Sequence, residues 1–225
     1  MRSRTRFGLG ILLTAIAGWV DAIGFISLGG FYVSFMSGNT TQLGIGLFRF
    51  DMDLVRLPAI LVACFVLGAF LGTLVHAVTG RWNLPTILLI EGILLASAIA
   101  FSLLQIPLVG AAQPLAVAMG AQNAALRSDS GQRIGGTFVT GTVFGLGEKL
   151  ALWCLGRGGL GSALRYALGW SALATGAAAG TFGFAASGML ALTVPAGCLL
   201  ILALATGVAT LSAAGTGEER PDQLS

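Results

Sequence analysis

The stretch FYVSFMSGNTTQLG, residues 31–44, decides how the fold of this chain is interpreted. It contains six uncharged side chains that form hydrogen bonds, in a chain otherwise rich in leucine, alanine, valine and glycine. Those side chains belong to Ser34, Ser37, Asn39, Thr40, Thr41 and Gln42. A polar block without charge between apolar runs is typical of a helix break or a packing seam within a membrane.

The bulk composition favours lipid as the solvent of this protein. Of the 225 residues, 56% are hydrophobic and 9% are charged, with a mean hydropathy of +0.90. A soluble domain carries about 25% charged residues. We therefore predict an integral membrane protein whose main partner is the lipid bilayer. The net charge of +3 includes no long basic run, which argues against a nucleic-acid partner.

Apolar segments recur along the whole chain and are candidate membrane spans. Eight of them lie at residues 9–27, 37–50, 58–78, 85–104, 112–126, 137–154, 166–184 and 189–210. Segments 37–50 and 112–126 are short compared with the roughly 20 residues that a spanning helix needs, so six spans is the alternative to eight. Eight spans with a cytoplasmic N-terminus would put nine of the twelve basic residues, and both termini, in the cytoplasm.

The polar block has a second copy further along the chain. Residues 35–44, FMSGNTTQLG, align with residues 138–147, FVTGTVFGLG, at a constant offset of 103. Asp21 in VDA has a weaker counterpart in Asn123 of QNA. Chance matching of glycine-rich segments is the alternative explanation.

The duplication predicts an all-α, polytopic transmembrane helical bundle made of two pseudo-symmetric repeats of about four spans. The expected units are a basic cytoplasmic N-terminus, two repeats and a disordered cytoplasmic tail, at residues 1–7, 8–105, 106–210 and 211–225. Four spans in each repeat would make the two halves parallel, because an even number returns the chain to the same side.

The repeated S/T-G-N/T motifs predict broken or half helices. Gly38 and Gly141 permit a sharp turn, and the flanking polar side chains can cap freed backbone groups. Paired breaks in two repeats indicate a solute site of a small transporter. The candidate substrate-binding residues are Asp21, Ser37, Gly38, Asn39, Thr40, Asn123, Arg127, Thr140, Gly141 and Thr142. Polar residues of this kind also join transmembrane helices without any ligand, and both interpretations stay open.

Acidic residues within the apolar segments are the most specific candidates for function. Asp21 either titrates and couples proton movement to transport, or pairs with Arg127. Glu91 is a second candidate, with an interfacial position as its alternative. We expect no enzyme activity, no cofactor and no metal, because the chain has one histidine, no paired cysteines and no hydrolase or nucleotide motif.

The chain resembles the YoaK-like family of bacterial multi-pass membrane proteins. The resemblance is carried by GWVDAIGFISLGGFYVSFMSGNTTQLG at 18–44, GAQNAALR at 120–127 and GGTFVTGTVFGLG at 135–147, and it covers roughly residues 10–205. It implies a location in the bacterial inner membrane and a conserved domain of unknown function.

These observations predict a small secondary transporter or channel-like carrier for an unidentified small solute, and proton coupling through Asp21 is one of the two roles open to that residue. The alternative is a non-transporting scaffold, accessory subunit or sensor. The spacing Gly68–Gly72 and Gly176–Gly180 suits a homodimer seam as well as internal helix contacts.

Overall fold

The computed structural model describes residues 3–125 and 139–215, and every regular element in that part of the chain is helical. The α-helices are α1 (Ser3–Ser27), α2 (Met36–Arg49), α3 (Met52–Thr79), α4 (Asn83–Leu103), α5 (Leu108–Ala125), α6 (Val139–Cys154), α7 (Leu160–Ser187) and α8 (Thr193–Gly215). The all-α prediction is therefore confirmed. Helix α8 extends to Gly215, so the first residues of the expected tail are helical.

Within the described residues, three helical stretches are long and apolar enough to cross a membrane: Thr5–Ser27, Met52–Leu103 and Leu160–Ala213. The second and third are each a pair of α-helices joined by a short 3₁₀ turn, α3 to α4 and α7 to α8. Gly80 and Gly188 open these turns with φ of 51° and 59°, a conformation that glycine adopts without strain. Each stretch is thus two α-helices joined by a tight turn.

Small residues bring the long helices into close contact. Gly68 and Gly72 of α3 lie directly against the backbone of Val117 and Ala121 of α5. In both contacts the residue numbers rise together, so α3 and α5 are parallel. Close backbone approach through glycine is the usual way in which transmembrane helices associate, since apolar burial gives no net drive within lipid.

The same arrangement recurs between α1 and α7. Gly176 and Gly180 of α7 lie directly against the backbone of Ala15 and Trp19 of α1, again in parallel. Both glycine pairs that the sequence singles out therefore form contacts within one chain.

Helices α4 and α8 cross in the opposite sense. Gly92 of α4 lies against Leu200 of α8, whereas Gly207, further along α8, lies against Pro85, earlier in α4. These two helices are therefore antiparallel. The sequence-based expectation of parallel halves requires α4 and α8 to run in the same direction, so for this pair the expectation is wrong.

The packing around α4 and α8 is unequal. Helix α4 packs on both α5 and α8, and buries Leu88, Glu91 and Leu95 completely. Helix α8 makes little contact with α1, and its Ile201 and Leu204 are 67% and 71% exposed. The packing of α4 on α5 consequently covers one side of the bundle, while the equivalent surface of α8, next to α1, is exposed.

Candidate functional site

The loop between α1 and α2, residues 28–35, is not helical, yet Phe31, Val33 and Ser34 in it are buried. Backbone N–H and C=O groups without partners are expensive in lipid, so a loop of this kind needs protein groups to satisfy them. The polar side chains on either side of the loop supply these partners.

Asp21 is the first of them and lies six residues before the end of α1. Its Oδ1 accepts hydrogen bonds from the backbone N–H groups of Val33, at 3.0 Å, and Ser34, at 2.8 Å. The side chain is 9% exposed. One carboxyl oxygen therefore holds the loop folded back against α1.

Asn39 is the second anchor of the loop. Its Oδ1 accepts a hydrogen bond from Tyr32 N at 3.0 Å, and its Nδ2 donates to Tyr32 O at 2.6 Å. Gln42 adds a hydrogen bond from Nε2 to Gly30 O at 3.3 Å. These bonds account for two of the six polar residues at 31–44: the side chains of Asn39 and Gln42 bond backbone groups of the loop that no helix satisfies.

The first S/T-G-N/T motif lies in the first turn of α2, not inside a broken longer helix. Gly38 faces the ring of Tyr32, where a Cβ would come within 2.9 Å of Cε2. Thr40 donates to Met36 O at 2.7 Å, within its own helix, and Ser37 is exposed. Among the motif residues, Asn39 therefore makes the bonds that shape the loop.

The second motif occupies the equivalent place at the start of α6. Thr140 and Gly141 are exposed, and Thr142 is half-buried. Helix α6 packs on α7, whereas α2 packs on α3. The two motifs thus lie against different long helices, and the structure does not combine them in one pocket.

Two further candidate residues come from the QNA block. Asn123 is half-buried and donates from Nδ2 to Met119 O at 2.8 Å, within α5. Arg127 lies outside the described residues, so its pairing with Asp21 stays a prediction. Among the described residues, the hydrogen-bond partners of Asp21 are the backbone N–H groups of Val33 and Ser34.

A pocket of about 200 Å³ opens between α1, the loop and α7. Phe25 and Tyr32 pack against each other beside it, with ring centroids 4.7 Å apart. The lining residues are Gly18, Asp21, Ala22, Phe25, Ile26, Tyr32, Ala177 and Thr181. Of the nine candidate site residues that the structure describes, only Asp21 lines this pocket.

Glu91 is the functional candidate whose environment the sequence did not reveal. Its side chain is fully buried in α4, and neither carboxyl oxygen has a hydrogen-bond partner among the described residues. The interfacial position considered from sequence is therefore wrong. Its position within an apolar helix, next to Gly92, was the available signal, because a glycine there admits a second helix.

A family described as "Protein of unknown function (DUF1275)" matches residues 9–205. The chain belongs to this family. A relative of this DUF1275 protein, the UPF0700 transmembrane protein RA0705 of Rhizobium meliloti (strain 1021), is 33% identical over 207 residues, which is 91% of this chain and 88% of that protein. No solved structure matches the chain. The match confirms the resemblance indicated by the motif blocks, and the name of the relative agrees with a transmembrane protein.

Proposed function

We propose that this DUF1275 protein is a six-span carrier for a small solute, built of two halves with inverted topology in a bacterial inner membrane. The observation that carries the proposal is the antiparallel crossing of α4 and α8. Helix α4 is the last helix of the first half and α8 is the last helix of the second half. Their opposite directions are expected if the two halves are inserted into the membrane in opposite orientations. Inverted repeats with short, discontinuous helices are a frequent architecture of secondary transporters.

The directions of the other helices support six spans. In an eight-span chain α4 and α8 would be parallel, because three full crossings separate them. If α2 and α6 do not cross, α4 and α8 become antiparallel, while α1 stays parallel to α7 and α3 to α5. With 14 residues, α2 is about 21 Å long, less than the roughly 30 Å hydrocarbon core.

The distribution of basic residues also favours six spans. With a cytoplasmic N-terminus, ten of the twelve lysine and arginine residues would lie on the cytoplasmic side, and only Arg49 and Arg56 outside. The eight-span arrangement leaves three outside. The positive-inside rule therefore fits the inverted six-span arrangement better.

Cysteine accessibility distinguishes the two topologies because they make opposite predictions. In a variant lacking Cys64, Cys154 and Cys198, single cysteines are introduced as Met52→Cys, Arg81→Cys and Arg157→Cys. Six spans predict that a membrane-impermeant maleimide added to intact cells labels position 52 and neither of the others. Eight spans predict labelling at position 81 alone, which would overturn the inverted arrangement.

Three features support transport as the activity. The chain contains a buried non-helical loop, two helices, α2 and α6, whose first described turns carry the matching motifs, and two buried acidic residues, Asp21 and Glu91. In membrane proteins, irregular backbone and embedded acids are characteristic of solute and ion pathways. The pocket beside Asp21 provides a site of suitable size for a small solute.

Flux across proteoliposomes tests this activity. Vesicles with an entrapped pH dye and an imposed pH gradient are exposed to a panel of amino acids, organic acids and small amines. At least one solute is expected to change proton flux relative to protein-free vesicles. Thr181→Trp, which fills the pocket, should abolish this flux, whereas Thr175→Trp on an exposed part of α7 should leave it intact.

The alternative is a non-transporting scaffold, accessory subunit or sensor. One observation favours it: Asp21 Oδ1 and both polar atoms of the Asn39 side chain bond to the loop backbone rather than facing a shared cavity. This alternative predicts no solute-dependent flux from folded protein over the whole panel, a result that would contradict the carrier.

A further inference from the structure

We propose that Glu91 is the proton-binding group of this protein, held as a neutral carboxylic acid while α4 is packed on its neighbours α5 and α8, and deprotonated when that packing opens. The proposal rests on the carrier function above and identifies the coupling ion and its site. It differs from the sequence-based hypothesis, which assigned proton coupling to Asp21.

The burial of Glu91 strongly disfavours a charged side chain in this conformation. Its relative exposure is 0%, and both carboxyl oxygens lack a hydrogen-bond partner among the described residues. An ionised carboxylate without water, a donor or a cation is strongly unfavourable, whereas the neutral acid is far easier to bury. Asp21 differs, because two backbone N–H groups satisfy its Oδ1.

Within residues 3–125 and 139–215, few titratable groups lie on the elements that pack against α4. Helix α5 contains no titratable residue, and α4 has none besides Glu91. The titratable groups on the other elements packed against α4 are Asp53, Arg56, Cys64 and His76 on α3, Arg81 in the 3₁₀ turn, and Cys198 on α8. His76 Nδ1 lies 3.2 Å from Asn83 Nδ2, at the start of α4 and about 12 Å along the helix from Glu91.

The unequal packing of the two halves indicates how the proton could leave. Helix α4 begins Asn-Leu-Pro and α8 begins Thr-Val-Pro, so Glu91, six residues after Pro85, corresponds to Ile201, six residues after Pro195. Glu91 is fully buried, while Ile201 is 67% exposed. The two halves therefore show this position in two surroundings, covered on α4 and exposed on α8. A single helix would alternate between these two surroundings if the protein changed conformation.

Alternating access in an inverted-repeat protein exchanges the conformations of its two halves. In the exchanged state, α8 would approach α1 and α4 would separate from α5. Water would then reach the Glu91 carboxyl, which would release its proton to water as hydronium and become a carboxylate. Because recovering the covered state requires a neutral side chain, one proton must bind before α4 and α5 close again.

Infrared spectroscopy of the reconstituted protein tests the protonation state without any solute. The glutamates of the chain are Glu91, Glu148, Glu218 and Glu219, so ¹³C-glutamate shifts their bands away from those of aspartate. Glu148 is 46% exposed and is paired with Lys149 at 3.3 Å. At neutral pH we expect one labelled carboxylic-acid band, absent from Glu91→Gln and retained in Glu148→Gln. A wild-type spectrum without that band overturns the proposal, whether or not the Glu91→Gln variant folds.

Transport measurements separate this inference from the carrier function itself. For the solute that gives flux in wild-type vesicles, Glu91→Gln is expected to lower uptake driven by a pH gradient at least tenfold. Counterflow exchange of the same solute, which needs no net proton movement, should continue. Solute flux that stays equally proton-driven in Glu91→Gln contradicts the role of Glu91 and leaves the carrier intact. Absence of flux from wild-type protein contradicts the carrier, while the infrared band still decides the protonation of Glu91.

Discussion

Replacing Asp21 with alanine is expected to lower the free energy of unfolding by about 3–5 kcal/mol, because it leaves two buried backbone N–H groups without an acceptor. The groups belong to Val33 and Ser34, whose N–H bonds to Asp21 Oδ1 are 3.0 and 2.8 Å long. A buried loop cannot rotate these groups outward to reach water. The measurement is the thermal unfolding midpoint of purified protein in one detergent, followed by tryptophan fluorescence.

Two controls distinguish the hydrogen bonds from the charge. Asp21→Asn keeps an oxygen that can accept both N–H groups, so its loss should be about 1 kcal/mol. Asp51 also accepts from two backbone N–H groups, those of Asp53 and Leu54, but at an exposed helix start. Asp51→Ala should therefore cost only about 1 kcal/mol. If Asp21→Ala were as stable as Asp51→Ala, the loop would not depend on Asp21.

Replacing Gly176 with leucine is expected to prevent assembly of the α1–α7 contact, with a loss of at least about 3 kcal/mol in the free energy of unfolding. Even a Cβ at this position would overlap the carbonyl oxygen of Ala15, which is backbone and cannot move aside. Gly68→Leu should have a similar effect on the α3–α5 contact, through Val117. Yield of monodisperse protein and its unfolding midpoint measure both effects.

The matched control is Gly44→Leu, since no atom outside the helix backbone lies within 4 Å of a Cβ at that position. Leucine favours helix more than glycine by roughly 0.5–1 kcal/mol, so this variant should be at least as stable as the parent. Equal destabilisation by Gly44→Leu and Gly176→Leu would show that the glycines act through conformation and not through close packing.

Asn39 illustrates how far a sequence motif can be interpreted. The first S/T-G-N/T motif correctly indicated a short helix that begins close to it, because α2 runs from Met36 to Arg49. It did not indicate that the Asn39 side chain would form hydrogen bonds with both the backbone N–H and the backbone C=O of Tyr32. That pair of bonds depends on the path of an eight-residue loop, which no local pattern in the sequence specifies.

Glu91 illustrates the opposite limit. From sequence, a glutamate near the second turn of an apolar segment is equally consistent with an interfacial position and a buried one. The structure decides between them because α5 and α8 both pack on α4 and the side chain is fully buried. Burial of a single side chain depends on which helices meet it, and such contacts join residues distant in the chain.

The sequence by itself indicated that this protein is suited to lipid, that it is helical and which polar residues interrupt its helices, because composition and short-range spacing carry that information. Its motif blocks also indicated the family. Only the tertiary structure decided that α4 opposes α8 and that Asp21 supports a loop. Helix direction depends on whether short segments such as α2 cross the bilayer. Length alone leaves that choice open, and the antiparallel packing of α4 and α8 is the observation that bears on it.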